Sequence, residues 1–151
     1  MIDIESKIVD TIYNAVKAND AYPNADVTTG FDETSATFPC VVIEEIDNSP
    51  YRNTDTDDCA ENYTRISYEV SVYTDNKDKA KTEGKQILKI VDNALQGLKF
   101  RRVRKNKPLN IARTIFRQYG RWEAVVGKPF VRTEIVDGKQ VETTVYQMYR
   151  R

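Results

Sequence analysis

The chain opens on a pattern of apolar residues that recurs every four positions. Ile4, Ile8, Ile12 and Val16 follow this spacing, which places their side chains on one face of a helix. Asp3 stands just before the pattern and is a residue type suited to cap a helix N-terminus. The spacing therefore predicts an amphipathic helix that begins next to Asp3 and ends near Val16.

The clearest strand signal lies at residues 63–73. Apolar side chains there occupy every second position and alternate with polar ones, which is the period of a strand with one buried face. Residues 26–31 and 38–46 carry weaker strand signals, the second rich in β-branched residues that follow a proline. Residues 47–62 hold almost no apolar side chain, which predicts a long acidic loop.

A second helix is predicted directly after the strand at residues 63–73. Asp75 is suited to cap this helix and Gly97 to end it in a left-handed turn. Between them an apolar stripe recurs at helical spacing, and Gly84 within the stripe predicts close packing of the helix on a sheet. The stripe consists of Ala80, Gly84, Ile87, Leu88, Val91, Leu95 and Leu98.

Strand patterns return after the second helix. The three predicted strands there are residues 100–104, 111–118 and 121–126. Residues 130–136 and 139–149 then flank the pair Asp137-Gly138, the favoured pair for a two-residue type I′ turn. The chain is therefore predicted to end in a β-hairpin, an arm that spans residues 128–149.

The order of these elements predicts the fold class. A helix, two or three strands, a long helix and four or five strands are typical of an α+β domain. We expect both helices to pack on one face of a mainly antiparallel sheet. At 151 residues a single domain over residues 1–151 is expected. The longest apolar run is too short for a membrane span or a signal peptide, so no membrane partner is predicted.

Charge divides the chain into two parts. Residues 1–62 carry 14 carboxylates against three basic side chains, and residues 63–151 carry 20 basic side chains against nine carboxylates. The formal net charge of zero therefore combines −11 in the first part with +11 in the second. Such asymmetry indicates a partner surface on a nucleic acid, on another protein or on another copy of the chain.

The composition argues against most enzyme chemistry. The chain has no histidine, which is the commonest general base and a frequent metal ligand, and it has no phosphate-binding glycine motif. Cys40 is expected in the core, and Cys59 is expected to react weakly because carboxylates surround it in the sequence. We predict neither a catalytic residue nor a cofactor.

One enzyme hypothesis stays open, a metal-dependent nuclease. Such a site needs two or three carboxylates around a divalent ion, often with a lysine nearby. The candidates are Glu44, Glu45 and Asp47 in one segment and the Glu-x-Lys spacing of Glu83 and Lys85 in another. We expect no metal site, because Glu83 is predicted in the middle of a helix beside solvent-facing lysines, whereas such sites are usually built on strand ends.

A basic stretch extends from Lys99 to Arg121, with nine basic residues and no acidic one. Contact with phosphates is one interpretation, and a solvated surface is another. A third is head-to-tail contact between the basic part of one copy and the acidic loop of the next, which can close a ring. The candidate residues are Arg101, Arg102, Arg104, Lys105, Lys107, Arg113 and Arg117, with Asp55, Asp57, Asp58 and Glu61 in the acidic loop.

Several segments together resemble the tail terminator proteins of long-tailed bacteriophages and tail-like particles, also called tail completion, minor capsid or head-tail joining proteins. The segments are IESKIVDTIYNAV at the start, FPCVVIEEIDN, ISYEVSVYTDNKDKAKTEGKQILKIVDNAL, IFRQYGRWEAVV and VYQMYRR at the end. The resemblance covers nearly the whole chain, although none of the segments is a catalytic signature. The long C-terminal hairpin is where the chain departs from the family pattern.

The resemblance implies a structural virion protein of the phage tail, assembled in the host cytoplasm. It implies a homo-hexameric ring that caps the tail tube, ends its polymerisation and offers a surface to the head connector or neck proteins. The implied partners are other copies of the chain, the tail tube protein, the neck proteins and, transiently, DNA in the lumen of the ring. A neck adaptor of similar fold and a DNA-binding or metal-dependent nuclease module are the alternatives.

Overall fold

The described part of the chain forms two helices and seven strands in one sheet, which confirms the predicted α+β class. The computed structural model describes residues 1–30, 37–52, 62–75, 78–112 and 114–149, with only the backbone of Tyr149. In chain order the elements are α1 (Glu5–Lys17), β1 (Asp26–Thr28), β2 (Cys40–Pro50), β3 (Tyr63–Thr74), α2 (Ala80–Gly97), β4 (Arg101–Lys105), β5 (Leu109–Ala112), β6 (Ile115–Val136) and β7 (Lys139–Tyr149).

Strand β6 organises the sheet. The main strand order is β1-β2-β3-β6-β4, and every pairing is antiparallel except that of β1 with β2. β6 pairs with β3 along one side and with β5, β4 and β7 in turn along its other side. Among the described strands, the outer side of β4 is therefore one edge of the sheet, and the outer side of β2 beyond β1 is the other.

Both helices cover the same face of the sheet, as predicted. Ile8, Ile12 and Val16 of α1 and the apolar stripe of α2 are buried in one cluster with alternate residues of the strands, among them Tyr68 and Trp122. Since side chains alternate along a strand, the residues between them point to the opposite face. No described helix covers that second face, which we call the open face.

Gly84 lies where α2 packs most closely on β6, as the stripe predicts. A Cβ atom at Gly84 would stand 2.5 Å from the side-chain nitrogen of Gln118. Gln118 is buried, and that nitrogen donates a hydrogen bond of 2.8 Å to the carbonyl of Lys81. The glycine thus leaves the space in which the Gln118 amide ties the sheet to the helix.

Gly84→Ala is expected to lower the free energy of unfolding by about 1 to 2 kcal/mol, because the methyl group displaces Gln118 from its hydrogen bond. Gly97→Ala is the matched control in the same helix. No atom lies within 4 Å of a Cβ at Gly97, so alanine should leave stability unchanged or raise it by up to about 1 kcal/mol. Urea titration followed by circular dichroism measures both; equal effects of the two variants would contradict the packing role.

The helix ends differ from the predicted ones. Lys79, not Asp75, occupies the N-cap of α2, and the buried hydroxyl of Thr74 donates to the carbonyl of Ala80. The pairing of β3 with β6 continues through Thr74, so the helix begins later than the polar residues suggest. At its other end the left-handed residue is Lys99, with φ of 67°, and Gly97 is the last helical residue.

The cap of α1 also differs from the prediction. Ile4 occupies the N-cap position, and no side-chain hydrogen bond caps the helix. The carboxylate of Asp3 nevertheless accepts a hydrogen bond of 2.9 Å from the amide of Glu5. Asp3 therefore satisfies one first-turn donor from a position one residue earlier than predicted.

Two strands are longer than their patterns predict. β2 continues through residues 47–50, which were predicted as loop, because these polar residues pair with residues 64–67 of β3. β6 joins segments predicted as three separate strands, since Gly120 keeps its pairing with Val70. The predicted hairpin is confirmed, with φ of 51° at Asp137 and 75° at Gly138, the positive values that a type I′ turn requires.

Candidate functional site

The basic stretch forms an exposed edge of the sheet. β4 contributes Arg101, Arg102, Arg104 and Lys105, and all five residues of the strand are exposed. β4 pairs with β6 on one side, and among the described residues no strand pairs with its other side. We call Arg101–Lys105 the basic edge.

Two residues of the basic edge form ion pairs within the chain. Arg101 contacts Glu123 at 2.7 Å, and Arg102 contacts Asp92 of α2 at 3.2 Å. Both arginines remain half or more exposed, and exposed pairs of this kind contribute about 1 kcal/mol or less. The pairs therefore orient the guanidinium groups but leave them accessible to a partner.

Arg117 belongs to a different cluster, on the open face. The Glu69 carboxylate accepts hydrogen bonds of 2.8 Å from both Arg117 and Arg121. Arg117 also donates to the hydroxyl of Ser71 and lies 4.7 Å from the centre of the Tyr119 ring. Because Glu69 is buried and paired twice, Arg117 has a structural role that the sequence did not indicate.

Glu69→Gln is expected to lower the free energy of unfolding by about 1 to 3 kcal/mol, because two arginines lose the same buried carboxylate. Glu134→Gln is the matched control, since Glu134 pairs with Arg132 at 2.9 Å but half of its side chain is exposed. That variant should change stability by less than about 0.5 kcal/mol. Chemical unfolding of both variants at low and high salt makes the comparison, and a neutral Glu69→Gln would refute the role.

The other predicted residues fall into two groups. Arg104, Lys105 and Lys107 are described, and no described carboxylate forms an ion pair with any of them. Arg113 and the acidic loop of Asp55, Asp57, Asp58 and Glu61 lie outside the described residues. The predicted contact between that loop and the basic edge of a neighbour therefore stays a prediction.

A second charged edge was not predicted as a surface. Beyond its pairing with β1, β2 carries the exposed residues Glu44, Glu45, Ile46 and Asp47. Within the described part of the chain, no strand pairs with their outer side. We call residues 44–47 the acidic edge. The sequence signal for this surface is the set of three acids around one isoleucine.

The C-terminal hairpin projects from the sheet. β6 leaves β3 after the Gly127–Tyr63 pair, and from there to the turn β7 is the one strand among the described residues that pairs with it. Nearly every side chain of this part is exposed, and the exposed apolar ones are Phe130, Val131, Ile135, Val136 and Val141. They lie on both faces of the two-stranded ribbon. The projecting part of the hairpin predicted over residues 128–149 is residues 128–145, and we keep the name arm for that part. The base of the arm is anchored, because Tyr146 and Met148 pack against the core.

The described residues offer little for catalysis. They include no group of three histidine, cysteine, aspartate or glutamate side chains arranged to hold a metal ion. Glu83 lies in the first turn of α2 rather than in its middle, and the acidic edge lies on β2. Cys40 is buried as predicted, and burial raises the pKa of its thiol to about 11, which keeps it protonated at neutral pH. Cys59 lies outside the described residues.

No helix among the described residues has the length and apolar character needed to cross a bilayer. No protein-family model matches the chain, and no curated protein matches it either.

Proposed function

We propose that the chain is a structural protein that assembles into a ring at the end of a phage tail tube. The ring caps the tube, ends its polymerisation and joins the tail to the head connector. The order of elements and the quoted segments, which resemble tail terminator proteins, support the tail assignment. The exposed surfaces support assembly with other copies.

The arm is the observation that carries this proposal. A two-stranded hairpin with apolar side chains on both faces has no core of its own, and isolated hairpins are marginally stable in water. Val131 and Ile135 lie on one face, and Phe130 and Val136 lie on the other. Apolar side chains exposed in this way mark a protein contact. In a ring, the arm of every copy can pack against the adjacent copy.

The basic edge supports assembly more than enzymatic use. Two of its arginines are already oriented by acids of the same chain, and no described acid forms an ion pair with Arg104 or Lys105. Charged groups at a protein interface set orientation and discourage wrong partners. In a ring, the basic edge would meet an acidic surface of the adjacent copy.

Contact with DNA is a second candidate, and one groove favours it. Lys85 and Lys89 of α2 line this groove together with Arg102 and Lys105 of β4, and Asp92 is its only described carboxylate. Basic side chains arranged in this way can contact phosphates. This candidate predicts that a single copy binds duplex DNA with an affinity that falls steeply as salt rises.

Electron microscopy of the purified protein, alone and mixed with tail tubes, tests the proposal. We expect closed rings with a central lumen, and in the mixture one ring at the end of each tube. Rings that bind connector complexes but ignore tube ends would favour a neck adaptor. Single copies that decorate DNA and never form rings would favour the DNA-binding candidate and overturn the ring proposal.

A further inference from the structure

The acidic edge and the basic edge each contain one irregularity in strand pairing, and similar residues surround it in both. In β2 the pairing with β3 skips Ile46, between Glu45 and Asp47. In β4 the pairing with β6 skips Val103, between Arg102 and Arg104. Each edge therefore has a bulge that presents one exposed β-branched residue, flanked by acids on one edge and by arginines on the other.

The two bulges also lie at the same level of the sheet. The registers place Glu44 and Arg104 in one row across four strands, with Glu69 and Arg121 between them. In the same way Glu45 shares a row with Arg102. The three matched pairs across the sheet are Glu44 with Arg104, Glu45 with Arg102 and Asp47 with Arg101.

These pairs cannot meet within one copy. β3 and β6 lie between β2 and β4, so the two edges stand about 14 Å apart at ordinary strand spacing. A second copy placed beside the first in the same orientation brings its acidic edge to the basic edge of its neighbour. Because β2, β3, β6 and β4 alternate in direction, the new neighbours run antiparallel.

The geometry points to an edge-to-edge junction between copies, in which residues 44–47 of one copy dock on Arg101–Lys105 of the next. Ile46 packs on Val103 at its centre, and each acid faces the arginine of its own row. The contact is heterologous, so it repeats from copy to copy and closes into a ring when the rotation permits. This inference rests on the proposed ring and names the residues that join it.

The bulges explain why the acidic edge pairs with the basic edge and not with a regular strand that has no bulge. A bulge interrupts the regular ladder and blunts an edge against unspecific pairing. A partner with a bulge at the same level and with opposite charge fits the interruption, whereas a flat strand does not. Like edges repel, since acidic meets acidic or basic meets basic. The same features therefore exclude wrong partners and admit another copy of the chain.

Cysteine cross-linking tests the junction. Two single variants, Ile46→Cys and Val103→Cys, are prepared with Cys59 replaced by serine and with distinguishable tags, then mixed and oxidised. We expect disulfide-linked pairs that contain one copy of each variant, and none when either variant is oxidised alone. Tyr13→Cys mixed with Val103→Cys is the control, because Tyr13 is similarly exposed but lies on α1, and it should not cross-link.

Charge reversal gives an independent readout. Glu44→Arg with Asp47→Arg reverses two acids of the acidic edge, and Arg101→Glu with Arg104→Glu reverses their row partners on the basic edge in a second variant. Each variant alone should associate at least about tenfold more weakly than the unchanged protein, because like charges meet at every junction. Mixing the two variants should restore assembly, because copies then alternate.

The outcomes separate this inference from the proposed function. Rings that form without the Ile46–Val103 cross-link and tolerate both reversals would overturn the junction and leave the ring proposal standing. Cross-linked open chains without rings would support the junction and count against the ring. Cross-links between two copies of the same single variant would show a two-fold contact and overturn the head-to-tail arrangement. No association at all would overturn both.

Discussion

Trp122→Ala is expected to lower the free energy of unfolding by about 3 to 5 kcal/mol, the largest effect of any single substitution considered. Trp122 is buried on β6, and its ring covers Gly120, where a Cβ would stand 2.5 Å from the ring. Its indole nitrogen donates a hydrogen bond of 2.8 Å to Asp92 of α2. Alanine leaves a cavity between sheet and helix and removes one partner of a mostly buried carboxylate.

Two further variants separate the loss of ring volume at Trp122 from the loss of its hydrogen bond and from the removal of an exposed ring. Trp122→Phe keeps most of the ring volume and loses the hydrogen bond, so a loss of about 1 to 2 kcal/mol is expected. Tyr13→Ala removes an aromatic ring that is 47% exposed and should cost less than about 1 kcal/mol. Urea unfolding of all three variants should be followed by far-ultraviolet circular dichroism. Trp122 is the only tryptophan, so its replacement removes the tryptophan fluorescence that would otherwise report unfolding. A loss below about 1 kcal/mol for Trp122→Ala would contradict its place in the core.

Val131→Ser combined with Ile135→Ser is expected to weaken assembly about 100-fold, with little change in the stability of a single copy. Both side chains are more than half exposed on the arm, so removing them changes the folded monomer little. In the proposed ring they would be buried against a neighbour, and losing two such contacts would cost about 3 kcal/mol, which is about 100-fold in the dissociation constant. Sedimentation velocity over a range of concentrations measures this shift.

Thr133→Ser is the matched control for the arm, because Thr133 lies between the other two on the same face of β6. It removes one methyl group and should leave the dissociation constant within about twofold. A double variant that assembles like the unchanged protein would show that the arm contacts something other than a neighbouring copy. Weaker binding to tail tubes with unchanged rings would assign the arm to the tube.

Local patterns predicted the elements where one face is buried and the other is solvated. The four-residue spacing of α1, the alternation of β3 and the Asp137-Gly138 turn each depend on residues close in sequence. Long-range pairing is not encoded in such patterns. The sharing of one side of β6 by β5, β4 and β7 depends on register between distant segments, and the pattern of each segment alone does not determine it.

The candidate surfaces were predictable only in part. The basic stretch was visible because its charges are consecutive, but its ion pairs join Arg101 to an acid 22 residues away and Arg117 to one 48 residues away. The acidic edge was missed as a surface because residues 44–47 resemble the polar end of a strand. Residues 44–47 are aligned with residues 101–104 of β4 across the sheet, and this alignment depends on the strand registers of the folded protein.

The mass of the native particle shows whether the chain assembles with other copies of itself. Native mass spectrometry at several protein concentrations, and at low and moderate salt, should detect one closed species whose mass is a fixed multiple of the 17.4 kDa chain, with six copies expected. A closed ring keeps the same copy number as concentration rises, because no interface is left unfilled. A chain that stays monomeric at every concentration, with and without tail tubes, would contradict the account.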